Sequence, residues 1–203
     1  MSDFWNERYS GADYFYGTQA NEFLVSVSDM IPKGSKVLCI AEGEGRNAVF
    51  LASHSYHVTA VDSSSEGRKK ALALASKMGV EIDYQLSDLV NFNFGEEKWD
   101  AIVSIFCHLP ETIRPAIHQK IEKALKPKGL FIFQSYNPKQ LEFNTGGPKE
   151  ITMLNTDESM RSEFNSLTWL KLENSLAEIY EGAGHQGMSS LLSGIGVKEK
   201  LAL

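Results

Sequence analysis

From residue 37 to residue 136, short apolar runs alternate with stretches in which apolar residues recur every three or four positions. The runs are KVLCIA, YHVTAVD, VEIDYQLSDL, WDAIVSIF and LFIFQSY. Their length and near-continuous apolar character predict strands buried on both faces. Between them, helices are predicted from about Arg46 to His54, over SEGRKKALALASKMG with Gly79 closing it, and over a stretch that buries Ile113, Ile117, Ile121 and Leu125 before Pro127-Lys128-Gly129 ends it. A short connection with Phe92 and Phe94 follows the third strand. Ahead of the first strand, residues 18–31 put Phe23, Leu24, Val27, Met30 and Ile31 on one helical face, with Pro32-Lys33-Gly34 as the stop.

The last third is patterned differently. A Gly/Pro-rich loop, FNTGGPKE, and a short polar helix near residues 156–164 lead into two strand-like runs, residues 167–180 and 188–197, joined by EGAGHQG. So short a glycine-rich connection favours an antiparallel hairpin. The expected fold class is α/β: a three-layer, Rossmann-like arrangement whose mostly parallel sheet ends in an antiparallel hairpin.

Composition changes this picture little. The 203 residues suit one domain, and the 42% hydrophobic and 23% charged fractions are ordinary for a globular chain. The net charge of −6 and the lack of a lysine- or arginine-rich stripe argue against a nucleic-acid partner. Cys39 and Cys107 lie in apolar runs and read as buried thiols. No run approaches a membrane span and MSDFWNERYSG has no apolar signal core, so a cytoplasmic protein without membrane attachment is expected.

The chemistry starts at the turn after the first strand. Gly43-x-Gly45-x-x-Ala48 fits the dinucleotide fingerprint, and Asp62 ends the second strand at nearly the expected distance. The plain alternative is a tight strand-to-helix turn with no ligand. Glu42 and Glu44 decide which ligand would suit it. A pyrophosphate beside them meets repulsion of roughly 1 kcal/mol per pair at about 4 Å even when screened, and more where water is excluded. S-adenosylmethionine (SAM) has no phosphate and carries a sulfonium and an ammonium, so the sign reverses.

VLCIAEGEGRN, VTAVDSS, SDL and the LKPKGLFIF entry to the fifth strand together resemble the motifs of class I SAM-dependent methyltransferases. The N-terminal FWNERYSGADYFYGTQANEFL resembles the aromatic lid of the subgroup related to tellurite-resistance TehB and thiopurine methyltransferases. The resemblance implies a seven-stranded sheet and one domain, 1–203, with a lid and helix over 1–31, a cofactor core over 36–136 and an acceptor side over 137–203. It also exposes two departures: Cys39 stands where the family usually has the acid that helps hold the methionine ammonium, and Ala41 where it usually has glycine. Glu42 or backbone carbonyls would then hold that end of the cofactor.

Each candidate residue has a structural alternative. Asp62 would accept from the ribose hydroxyls, with Ser63 beside it, or would cap the next helix, a role that Ser63 to Ser65 can also fill. Asp88 would face the adenine amino group while Leu89 packs on the ring; otherwise Asp88 is a solvated loop acid. Gly43 and Gly45 would let the backbone approach the cofactor. Arg46 and Asn47 would bind its carboxylate or are ordinary first-turn residues. Ile105 and Phe106 end the fourth strand beside the cofactor edge. Trp5 and Tyr16, with Tyr9, Tyr14 and Phe15, would form a water-excluding lid or dock the first helix, and Arg8 would reach an acidic acceptor or pair with Glu7 or Asp3.

The catalytic candidates are His108, at the mouth of the site, and His185, which is similar to the subgroup's hairpin histidine. His185 would orient the acceptor or take its proton, or is an exposed turn residue. Where relatives often place a basic residue shortly after it, Gln186-Gly187-Met188 stand. No NPPY-type sequence follows the fourth strand, which disfavours amino methylation of DNA bases. The expected activity is methyl transfer from SAM to a small-molecule acceptor, with a thiol or a chalcogen or metalloid anion suiting the absence of an obvious base. No metal is expected, and the protein is expected as a monomer or homodimer. A nicotinamide-dependent oxidoreductase and a non-catalytic SAM-binding module are the rival readings.

Overall fold

All the apolar runs become strands of one sheet in the computed structural model, which describes residues 2–199. The strands are β1 (Lys36–Ile40), β2 (His57–Asp62), β3 (Asp83–Leu86), β4 (Trp99–Ile105), β5 (Leu125–Tyr136), β6 (Leu167–Glu181) and β7 (His185–Lys198). Their order is β3-β2-β1-β4-β5-β7-β6. The first five are mutually parallel, and β7 runs antiparallel to both β5 and β6. The expected α/β sheet with its terminal hairpin is therefore the fold.

Alternation along β1 divides the core. Leu38 and Ile40 join a cluster with Phe131, Phe133 and Ile117, while Val37 and Cys39 join the opposite one with Leu24, Leu51 and Ala71. The first face is covered by α5 (Arg114–Ala124) and α6 (Asp157–Glu163), the second by α2 (Glu22–Val27), α3 (Arg46–Ser53) and α4 (Ser65–Met78). Covering both faces is what permits such apolar strands. Arg114 and His118 of α5 both reach Glu163, at 2.8 and 2.7 Å, and tie α5 to the end of α6. Among the described residues no helix is long and apolar enough to cross a membrane.

Several boundaries differ from expectation. The helix expected over residues 18–31 is only α2 followed by a 3-10 turn, Ser28–Met30, and Met30 is exposed. It cannot start earlier because Asn21 is its N-cap, accepting from the Leu24 amide while its own amide donates to the Asn47 side chain. The segment ahead of it contains a helix that the pattern did not predict, α1 (Ser2–Tyr9), which packs on α4 and anchors Asn6 Oδ1 on the Ser64 hydroxyl. Only Asp83–Leu86 of VEIDYQLSDL is strand, which leaves Ser87 to Leu89 in a loop.

Pro127-Lys128-Gly129 does not end α5; it lies inside β5. Trp99 pairs with Leu125 and Ala101 with Leu130, so these residues form a bulge, with Lys128 at a φ of 67°. A Cβ on Gly129 would lie 2.8 Å from the Lys126 carbonyl oxygen, so glycine is needed there for backbone closeness. His185, expected in the connection EGAGHQG, is the first residue of β7, and its burial rules out the exposed-turn alternative.

Two glycines allow a stability prediction. Gly45 (φ 89°) lets α3 approach α4 so closely that a Cβ would sit 2.5 Å from that of Ala71, whereas Gly79 (φ 68°) has open space around it. Gly79→Ala adds only left-handed strain, roughly 1–2 kcal/mol. Gly45→Ala adds overpacking of about 1–3 kcal/mol to that strain. Urea unfolding of the two variants should therefore rank Gly45→Ala well below Gly79→Ala.

Candidate functional site

The sheet order reverses between β1 and β4, and crevices for ligands open at the carboxyl ends of strands where such a reversal occurs. Both strands end in a left-handed residue other than glycine, Ala41 (φ 50°) after β1 and Phe106 (φ 54°) after β4. The chain turns away on each side, and backbone strain of this kind collects at functional sites. A cavity of about 740 Å³ opens there, walled by these strand ends, the α1 lid segment, the loop 146–149 and the tip of the terminal hairpin. Its volume lies within the range of about 300–1,000 Å³ typical of small-molecule sites.

The two glutamates of the glycine loop have different fates. Glu42 is buried, and its Oε1 accepts the Ala48 amide at 2.7 Å, so it closes the N-terminus of α3. Burial raises its pKa to about 7, against the lowering effect of the α3 amides and Arg46. The helix end that would hold a phosphate thus already holds the protein's own carboxylate. Glu44 is paired with Lys70 of α4 at 2.7 Å and accepts the Tyr16 amide at 3.3 Å, which fastens the lid segment. Gly43 and Gly45 do not line the cavity. Gly43 donates its amide to Asp62 Oδ2, accepts from the Tyr84 hydroxyl and leaves room for Tyr9, while Gly45 serves helix packing.

Asp62 is not a helix cap, because the side chain of Ser64 caps α4. Its two oxygens accept the Gly43 and Ser64 amides at 3.0 and 2.8 Å, and burial raises its pKa. A carboxylate so fixed keeps further lone pairs for a ligand, and Asp62 and Ser63 both line the cavity. Asp88 lines it from an exposed loop, with Oδ1 on the Val90 amide, and Leu89 beside it is buried. Ile105, Phe106, Trp5 and Tyr16 complete the walls on which they were expected. Trp5 stacks on Tyr9 at 5.5 Å.

Arg46 and Asn47 also border the cavity, but both side chains are engaged elsewhere. Asn47 Oδ1 accepts the Asn21 amide at 2.9 Å. Arg46 Nη2 lies 2.7 Å from Glu181 Oε2 at the tip of the hairpin, and Nη1 donates to the Gln19 carbonyl. The same Glu181 oxygen is 2.7 Å from His185 Nδ1, and its other oxygen accepts from the Asn21 side chain at 3.0 Å. These partners hold the Glu181 carboxyl down to about 2. His185 is lowered by burial, opposed by Glu181, and is neutral near pH 7. With Nδ1–H donated to Glu181, Nε2 carries the lone pair. The ring packs against Phe106 at 4.4 Å and Tyr16 at 4.6 Å.

His108 reaches the cavity wall but is otherwise spent. Its Nε2 accepts the Tyr136 amide at 3.1 Å, which puts the proton of the neutral ring on Nδ1 and leaves no lone pair to act as a base. Burial and the nearby His185 lower its pKa to about 3. Glu181 escaped the sequence reading, although a carboxylate four residues before His185 in EGAGH was visible. The glycines of that tip serve the lid. A Cβ on Gly184 would lie 2.2 Å from the Tyr16 ring, and the Ala183 amide donates to the Phe15 carbonyl at 2.8 Å.

Comparison with known proteins bears on this arrangement. Residues 37–129 match a family described as a methyltransferase domain. An uncharacterized methyltransferase, YbaJ of Bacillus subtilis, is 31% identical over 117 residues, 56% of this chain and 45% of its own. A ubiquinone biosynthesis O-methyltransferase of Actinobacillus pleuropneumoniae is 29% identical over 111 residues, 51% of this chain and 47% of its own. The chain thus spans about half the length of the curated relatives it matches. Among solved structures, the N-methyltransferase NodS of Bradyrhizobium japonicum with S-adenosylhomocysteine (SAH) superposes with a TM-score of 0.74 at 16% identity, covering 98% of both chains. TehB of Haemophilus influenzae superposes with a TM-score of 0.73 at 18% identity, covering 98% of this chain and 67% of its own. At these identities the likeness shows the fold, the Rossmann-like sheet typical of methyltransferases.

The Glu181 network has a measurable consequence. Glu181→Ala leaves Arg46 buried without its partner, and denaturant unfolding at neutral pH should show a loss of about 3–5 kcal/mol. The carboxyl is depressed from its ordinary 4.5 to about 2, so the stability it contributes is complete above 4.5 and lost as pH falls towards 2. The acid-side decline in stability should be shallower in Glu181→Gln; an unchanged slope would mean that the ion pair does not form in solution.

Proposed function

We propose that this chain, whose residues 37–129 match a family described as a methyltransferase domain, is a class I SAM-dependent methyltransferase that transfers a methyl group to a small-molecule acceptor. The observation that carries this reading is Glu42 on the N-terminus of α3, in one cavity with Asp62 and Asp88. A helix end closed by a buried carboxylate repels a pyrophosphate and suits a cationic, phosphate-free cofactor. Cys39 is fully buried on the sheet face away from Leu38 and Ile40, so Glu42 is the acid left for the ammonium and sulfonium side. Asp62 would accept from the ribose hydroxyls, Asp88 from the adenine amino group, and Leu89, Ile105 and Phe106 would pack along the cofactor. Trp5 and Tyr16 of the lid would cover it.

When bound, SAM supplies a methyl group on a sulfonium, the leaving group of an in-line displacement. The protein's tasks are alignment, exclusion of water and handling of the acceptor's proton. His185 Nε2 is the base within the cavity, held in its tautomer by Glu181. A base of this kind removes the need for a pre-ionised acceptor, so a thiol or hydroxyl acceptor fits as well as a chalcogen anion. The lid over residues 1–31 and the hairpin histidine favour the TehB-like subgroup, with the core at 36–136 and the acceptor side from 137 onward. A cytoplasmic site of action fits such an acceptor.

Calorimetry with SAM, SAH and NAD(H) tests the reading. Saturable micromolar binding of SAM and SAH is expected, with none of NAD(H), and with a loss of about tenfold or more in Asp62→Ala. A cation beside Glu42 favours its ionised form, so binding releases a proton when the free group titrates near 7. SAM affinity should therefore rise between about pH 6 and about pH 8, and Glu42→Gln should flatten that rise. Binding of NAD(H) alone would overturn the proposal.

A further inference from the structure

Charges around the cavity are mostly cancelled inside the protein. Lys70 neutralises Glu44, and Glu181 neutralises Arg46. Arg8 is different. It lies half-buried on the cavity wall, and among the described residues no carboxylate pairs with it. Glu7 and Asp3, its possible partners by sequence, stay exposed on α1. Its guanidinium is instead set between the rings of Phe4 and Phe15, at 4.6 and 4.9 Å, with Trp5 at 5.4 Å. A single long contact, 3.4 Å, runs from Nη1 to the Tyr16 hydroxyl. Aromatic faces fix the plane of the fork and leave its remaining N–H groups without a protein acceptor among the described residues. A second cation, Lys149, borders the same cavity from the loop 146–149, donates to the neutral Asn144 side chain and, among the described residues, pairs with no carboxylate.

Resting on the methyltransferase reading, we infer that Arg8 docks a carboxylate of the methyl acceptor, so that the substrate class is a small carboxylic acid bearing a thiol or hydroxyl. A planar fork matches a carboxylate two-point, and Lys149 adds attraction across the cavity. Position favours the acceptor over the carboxylate of the cofactor. Arg8 contacts Tyr16, whose ring lies 4.6 Å from His185, so a ligand held by Arg8 extends toward the base. The charge of Arg8 is also felt at His185, where it helps to lower the pKa. The acid groups for ribose and adenine lie elsewhere, Asp62 at the end of β2 and Asp88 on the loop after β3.

The test uses SAH-saturated protein and matched pairs of probes, thiosalicylate against thiophenol, salicylate against phenol, and mercaptoacetate against ethanethiol, titrated by calorimetry. At least one acid should bind about tenfold or more tightly than its neutral partner. Arg8→Gln should remove that preference while SAH affinity stays within about threefold, and Arg8→Lys should restore part of it. Lys149→Gln, which leaves α1 untouched, should reduce the same preference. Equal binding of acids and neutral partners overturns the inference. So does a loss of SAH affinity in Arg8→Gln, which would assign Arg8 to the cofactor. Failure of SAH to bind the unaltered protein removes the methyltransferase reading and this inference with it.

Discussion

The ion pair between Arg46 and Glu181 holds the site together. It joins the first turn of α3 to the end of β6 across 135 residues of chain. Glu181 receives Arg46, Asn21 and His185 at once, so one carboxylate fixes the N-cap of α2, the entry to α3 and the ring of His185. A buried carboxylate with three donors on it is satisfied, and removing any one donor changes the electrostatics of the others. The constraint is also one of order in folding. Arg46 and Glu181 can meet only when β5 and β7 have paired, so the His185 ring is positioned only after the sheet is complete.

That pair also explains how an acidic loop and two arginines coexist in one crevice. Of four carboxylates around the cavity, Glu44 is neutralised by Lys70, and Glu42 and Asp62 are held by backbone amides. Amide dipoles stabilise a carboxylate without adding a full positive charge, so these two remain attractive to a cation.

The parts of the fold visible in the sequence are those fixed by local chemistry. β1, β2 and β4 could be recognised because burial on both faces demands apolar runs, and α4 because Ser64 and Gly79 cap it. The helix α1 was not, because its order comes from docking on α4 through Asn6 and Tyr9 rather than from its own pattern. The Pro127-Lys128-Gly129 bulge looked like a stop because proline and glycine serve both purposes. In the site, Asp62 was legible from its place at a strand end. The different fates of Glu42 and Glu44 were not, since two glutamates flanking a glycine are chemically alike until the turn points one at α3 and the other at Lys70. The burial of His185 was hidden by its glycines. They suggested an exposed turn, whereas Gly182 and Gly184 are small because the lid backbone and the Tyr16 ring lie against them.

How that lid is fastened decides how the cavity can be entered. Its inner end is held by the Ala183 and Gly184 amides on the Phe15 carbonyl and by the Tyr16 amide on Glu44. Each such bond is worth about 0.5–1.5 kcal/mol net. Three of them, with partly exposed aromatic contacts, make an attachment worth a few kcal/mol, well short of the stability of a whole domain. The outer end of the lid is held separately, by α1 on α4 through Asn6 and by the Tyr14 hydroxyl on the Lys70 carbonyl, whereas Glu181 and His185 are held by the sheet and the buried ion pair. On the proposed function, release of the inner end would admit a ligand and its return would restore the dry surroundings that a displacement requires.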